Sequence, residues 1–142
     1  MADGTLTVTM SNEFGDRRDD NKVVLTWLSE TDGSLSKAVC STFSTAQAAI
    51  LYSTPQPKKL TGFIRKIETN PGSTAPTDNY DITLLDADSV DVAAGALLDR
   101  DTSTSEIIVP ASPIYIDSEI TLTIAAAGSN KVGVCTIYLA ND

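Results

Sequence analysis

A chain of 142 residues fits one domain and is too short for two ordinary ones. Its 19 acidic and 10 basic residues give a net charge of −9, which repels phosphate backbones and anionic bilayers, so nucleic acid and membrane are not expected partners. With 42% hydrophobic and 20% charged residues, the composition suits a folded domain that builds its core without a disulfide or structural metal.

No apolar run approaches the ~20 residues of a membrane helix. Met1-Ala2-Asp3-Gly4 lacks the basic and apolar stretches of a signal peptide, so synthesis in the cytoplasm as a soluble protein is expected. Two cysteines, Cys40 and Cys135, lie in apolar, strand-like stretches. Buried free thiols are the expected state in reducing cytoplasm, and a bridge requires the two strands to be neighbours.

Alternation is the leading pattern. Leu6, Val8 and Met10 alternate with Thr5, Thr7 and Thr9, which sends the apolar groups to one face of a strand. The stretch 11–21 is polar, carries Gly15 and Asp16-Arg17-Arg18-Asp19-Asp20, and is read as a loop or arm. Residues 1–21 thus form an N-terminal strand and polar arm, and 22–142 the body of a single domain. Val23, Leu25 and Trp27 share one face of a second strand. It ends at Thr31-Asp32-Gly33-Ser34, where Asp-Gly predicts a hairpin into a third strand over 35–43.

In 44–56, Ser44-Thr45 is placed to cap a short helix through 46–51, with strand or loop as the open alternative. Pro55 and Pro57 end whatever precedes them. Strand character resumes over 60–69 with Phe63, Ile64 and Ile67, followed by a turn-forming loop over 70–77. Tyr80, Ile82 and Leu84 alternate with polar residues. A tight turn at Asp86-Ala87-Asp88-Ser89 then leads into Val90-Asp91-Val92. The stretch 93–101 reads as loop or a turn or two of helix, and 106–109 as a short strand ended by Pro110 and Pro113. Ile120, Leu122 and Ile124 mark another strand, and Gly128-Ser129-Asn130-Lys131 turns it into the last, over 132–139.

Eight or nine short strands and no heptad predict an all-β fold: an antiparallel two-sheet β-sandwich, jelly-roll-like. Trp27 precedes both cysteines, which departs from the immunoglobulin order. Trp27, Phe63 and Tyr80 are read as core, and Tyr115 and Tyr138 as core or interface.

The chain contains no histidine, which removes Ser-His-Asp and Cys-His arrangements and the commonest zinc sites. No phosphate loop or Gly-x-Ser-x-Gly is present. Catalytic, cofactor and metal sites are therefore not expected. Asp86, Asp88 and Asp91 suggest calcium ligation, but they depart from the EF-hand pattern and suit a polar β-turn. Lys58, Lys59, Arg65 and Lys66 concentrate the basic charge. They read as a protected strand edge or as a contact with an acidic neighbour. Arg17, Arg18, Lys58 and Lys59 are the interface candidates, because opposite charge steers docking onto an acidic partner.

The run Pro71-Gly72-Ser73-Thr74-Ala75-Pro76-Thr77-Asp78-Asn79-Tyr80-Asp81-Ile82-Thr83-Leu84, with Asp86-Ala87-Asp88 after it, resembles small structural proteins of tailed bacteriophages. So do Val90-Asp91-Val92, Gly95-Ala96-Leu97-Leu98-Asp99-Arg100-Asp101-Thr102, the ending from Leu122 through Gly133 to Leu139, and the Trp27 strand with its Asp32-Gly33 turn. The resemblance covers roughly 22–140 and rests on turns and strands. It implies a capsid decoration (cement) protein: a β-rich homo-oligomer, dimer or trimer, that sits on the outside of the virion and clamps neighbouring major capsid proteins. A tail, fibre or head–tail component is the alternative of the same kind. A carbohydrate- or surface-binding module, with Trp27 or Tyr115 stacking on a sugar, is the alternative of a different kind.

Overall fold

Alternating Thr and aliphatic residues favour extended backbone, because branched side chains pack well on a pleated surface. The computed structural model describes residues 4–12, 21–39 and 60–140, and among them nine strands form. These are β1 (Thr5–Asn12), β2 (Asn21–Leu28), β3 (Leu35–Ala38), β4 (Leu60–Pro71), β5 (Asp81–Leu85), β6 (Glu106–Ile108), β7 (Ile114–Ser118), β8 (Thr121–Ala125) and β9 (Val132–Ala140). The expected short helix at 46–51, the distal part of the 35–43 strand, and Cys40 lie outside the described residues.

Every pairing is antiparallel, and the strands divide into two sheets. The larger runs β1-β2-β9-β4, and the free side of β4 is shared by β6 along Ile67–Thr69 and β7 along Leu60–Ile64. The smaller runs β3-β8-β5. The pairs β2 with β9, β3 with β8 and β4 with β7 nest inside one another along the chain. The innermost place is taken by β5 and the segment 91–100, which touches it through bridges at Leu85–Asp91 and Tyr80–Arg100 and the bond from Ile82 N–H to Leu97 O.

One core lies between the sheets. Val23, Leu25 and Trp27 of β2 meet Ile82 and Leu84 of β5 and Leu122 and Ile124 of β8, all at most 1% exposed. The Trp27 and Tyr80 rings sit 5.7 Å apart and tilted, the geometry their quadrupoles favour. The spacing of Ile64 and Ile67 breaks the two-residue period, and a register shift between Ile64 and Lys66 resets it so that both reach the core.

Two local expectations are corrected, and one strand is added. Asp32-Gly33 does form a tight turn, with Gly33 N–H bonded to Glu30 O, but not a hairpin: β2 pairs with β1 and β9, and β3 with β8, so the turn carries the chain from one sheet to the other. The strand β7 was not among those read from the sequence; three consecutive apolar residues, Ile114, Tyr115 and Ile116, hide its alternation. Phe63 is not core: it is half-buried and pairs outward with Tyr115.

The Gly128–Lys131 turn also crosses between sheets, and the two crossings are laced together. Ser29 N–H donates to Lys131 O at 2.8 Å, and Ala127 N–H to Gly33 O at 3.1 Å. Gly33, at φ +86°, has Gly128 N only 2.8 Å from where a Cβ would stand, so a side chain there is excluded twice. The fully buried Ser29 hydroxyl donates to Gly128 O (2.7 Å) and accepts from Lys131 N–H (2.8 Å). Ser29→Ala leaves both backbone groups short of a partner and is expected to cost about 1–3 kcal/mol, read from urea unfolding.

Candidate binding surface

With no histidine in the chain, carboxylates are the side chains left for acid–base or metal chemistry. Asp86 Oδ1 accepts from the N–H groups of Asp88 (2.9 Å) and Val90 (3.0 Å). Asp91 accepts from Leu84 and Ala93 N–H on Oδ1 and from Gly95 N–H on Oδ2. These side chains fasten turns, as the local propensity of Asp predicts. Among the described residues no group of three or more His, Cys, Asp or Glu is placed to hold a metal ion.

Asp32 and Asp101 do the same work on the exposed surface. The Ser34 hydroxyl and N–H hold Asp32 below its ordinary value of 3.8, and the Ser103 and Thr104 N–H groups hold Asp101 below it. A depressed carboxyl adds stability above its unfolded-state pKa and loses it as pH falls through the folded-state value. Asp101→Asn is therefore expected to be less stable than the parent at neutral pH, with the two converging as pH drops below 3.8 in acid titrations followed by circular dichroism.

Among the described residues two titratable groups, Tyr80 and Cys135, sit in the core. Burial pushes Tyr80 up to about 12, with the neighbouring Cys135 adding to it. Desolvation pushes the Cys135 thiol up to about 12. Cys135 is a free, fully buried thiol. In a Cys40→Ser background it is expected to resist thiol reagents at neutral pH and to label only as fast as the fold opens.

The outward face of the larger sheet is different in character. On β4 the outward row is Phe63, Lys66 and Glu68, which pair with Ala140, Tyr138 and Thr136 of β9. Lys66 Nζ stands 4.3 Å above the Tyr138 ring, and the Tyr138 hydroxyl donates to Glu68 Oε2 at 2.9 Å. A cation, an aromatic ring and a carboxylate are thereby fixed in line. Phe63 and Tyr115 stack at 5.1 Å, tilted by 56°.

At the β6–β7 side of this face the side chains become apolar and open. Tyr115 is 58% exposed, Ile107 60% and Val109, just past β6, 68%. Their direction follows from register. Ile108 pairs with the buried Ile67, which turns Ile107 outward beside Glu68; Ile116 points into the core, which turns Tyr115 outward beside Phe63. Isolated exposed apolar residues are ordinary; three along one sheet edge make that edge a candidate interaction surface.

The interface candidates Arg17, Arg18, Lys58 and Lys59 all lie outside the described residues. Arg65 is exposed on the bulge, and Lys66 is engaged with Tyr138. Trp27 is 1% exposed and cannot stack on a sugar, whereas Tyr115 can. Ile107 and Val109 carried a signal that sequence reasoning passed over: Ile107, Ile108 and Val109 are three apolar residues in a row, so in a two-sheet sandwich at least one falls on an outward face.

In comparisons with known proteins, no family model, no curated protein and no solved structure matches this chain.

Proposed function

We propose that this chain is a structural component of a tailed-phage virion that binds the outside of the capsid and stabilises contacts between major capsid proteins. The observation that carries the reading is the open apolar cluster of Ile107, Val109 and Tyr115 on the outward face of the larger sheet. An assembly protein needs such a surface, and Asp86 and Asp91, of the acidic cluster that suggested calcium, are instead bound into turns. The resemblance of 71–102 and of the Trp27 and C-terminal strands to phage structural proteins supplies the partner. Function on this reading is by binding, as a homo-oligomer, without catalysis, cofactor, nucleic acid or membrane.

The nested strand pairs support a jelly roll as the sandwich topology. A jelly roll is a long antiparallel hairpin rolled up on itself, so its strands pair from the ends inward. The order β2-β9-β4-β7 against β3-β8-β5 follows that rule, with 91–100 in the place of the eighth strand.

The test is titration of purified protein onto expanded capsids, with unexpanded capsids and tails as the other arms. Saturation at a fixed ratio per capsomer on expanded capsids is the expected result. Binding to tails alone moves the chain to a tail, fibre or head–tail role. The exposed Tyr115 stacked on Phe63 also fits a sugar platform, and glycan-array binding that disappears in Tyr115→Ala would favour that module over a virion role.

A further inference from the structure

An aspartate followed by glycine is the step of a chain most open to rearrangement, because no side chain shields the glycine nitrogen from the neighbouring carboxyl. The chain has two such steps, Asp3-Gly4 and Asp32-Gly33. Asp3 lies outside the described residues, whereas Asp32-Gly33 forms the turn of the first sheet-to-sheet crossing, with Asp32 exposed.

The reaction open to it is a redistribution of bonds. The Gly33 nitrogen attacks Asp32 Cγ, a Cγ–N bond forms and water leaves, which closes a succinimide ring. Water then adds back. Opening at the Asp32 main-chain carbonyl leaves the chain running through Cγ as isoaspartate, and opening at Cγ restores aspartate. Mass and oxidation state end unchanged, and water is the only co-reactant.

In the folded chain both reacting groups are held away from this step. Gly33 N–H donates to Glu30 O at 3.0 Å, and Glu30 O also accepts from Asn130 N–H at 3.2 Å. Asp32 Oδ1 accepts from Ser34 N–H at 3.0 Å and from the Ser34 hydroxyl at 2.6 Å. Those bonds favour the ionised carboxylate, which is the poorer electrophile. Ring closure also swings the Gly33 peptide, and the room for that is taken. Gly33 O accepts from Ala127 N–H at 3.1 Å, and Gly128 N stands 2.8 Å from the Cβ position. The second crossing is tied back to the first through Ser29, which bonds Gly128 O and Lys131 N–H.

We propose that Asp32-Gly33 is a latent modification site, which isomerises to isoaspartate only while the two crossings are apart and, once isomerised, keeps them apart. The second half follows from length. Isoaspartate adds a methylene to the main chain inside a turn closed by Glu30 N–H to Ser34 O at 2.8 Å and by Gly33 N–H to Glu30 O. The longer chain does not close the same bonds and still present Gly33 O to Ala127 N–H. The site therefore records time spent open, at the point where β2 of one sheet passes to β3 of the other.

The site is read on the purified full chain alone and does not depend on the capsid reading. Trypsin, cutting after Lys22 and Lys37, releases the 23–37 peptide, in which Asp32 is the single aspartate and no asparagine occurs, so isoaspartate found there is assigned. The chain is aged at neutral pH, folded and in guanidinium chloride, and isoaspartate is read by methyltransferase labelling and electron-transfer fragmentation. The folded chain is expected to react at least about 10-fold more slowly than the denatured one, the scale of an opening that breaks several main-chain bonds. Ser34→Ala removes one of the two bonds to the carboxylate, and Ser29→Ala loosens the lacing. Each is expected to speed the folded reaction several-fold toward its own denatured rate, in protein that circular dichroism shows to be folded. The isolated isoaspartyl form is expected to unfold at lower urea concentration than the parent. Equal rates in folded and denatured chain, a folded rate that either substitution leaves unmoved, or an isoaspartyl form as stable as the parent would each overturn the site.

Discussion

Trp27→Ala is expected to lower the free energy of unfolding by about 3–5 kcal/mol, the range for emptying a large aromatic site in a packed core. Domains of this size are stable by roughly 5–15 kcal/mol in total, so the variant loses a large share of its margin. Trp27 is 1% exposed and reaches from β2 onto Tyr80, so its ring bridges the two sheets. Its loss opens a cavity that rigid strands on both sides cannot collapse to fill. Because this is the chain's single tryptophan, unfolding of the variant must be followed by far-ultraviolet circular dichroism.

The same site has a converse. Gly133 lies directly opposite Trp27 on β9, and a Cβ there would stand 2.3 Å from Trp27 Cζ2 and 2.7 Å from Cε2. Gly133→Ala therefore forces the indole out of its place and is expected to cost about 1–3 kcal/mol by overpacking. In Trp27→Phe with Gly133→Ala, the smaller ring makes room for the methyl group. The double variant is thus expected to be more stable than the two separate losses predict, the mark of direct coupling.

How much of this was legible in the sequence follows from range. Period-two patterns at Leu6 and Val8, Val23 to Trp27 and Leu122 to Ile124 state which side chains go inward, because strand geometry alone decides it. Turn chemistry was legible too: Asp32-Gly33 and Asp86 to Ser89 both turn. Where a turn leads was not. The backbone angles at Gly33 are local, but whether β3 joins the first sheet or the second depends on Ser29 meeting Lys131 and Gly128 about a hundred residues later. The outward cluster was half legible. Tyr115 stood out as a core-or-interface aromatic, yet its neighbourhood with Phe63 and its alignment with Ile107 along β4 depend on two strands sharing one edge, which no local pattern encodes.

That cluster carries the functional prediction with the largest expected effect. Ile107→Glu with Tyr115→Glu is expected to weaken binding to expanded capsids by about 100-fold or more, the scale of losing central apolar anchors from an interface. The fold should tolerate both, since the two side chains are 60% and 58% exposed and already lie in water. Their main-chain pairing with Glu68 and Phe63 is unchanged by substitution. Ile107→Glu also sets a second carboxylate beside Glu68, so part of the loss is a charge effect. Ile107→Thr with Tyr115→Thr separates the terms: it removes the apolar surface without adding charge and suits an extended strand. If the cluster docks by desolvation, the threonine variant loses most of the affinity as well. A threonine variant that binds like the parent, beside a glutamate variant that does not, would assign the effect to repulsion and move the docking surface elsewhere.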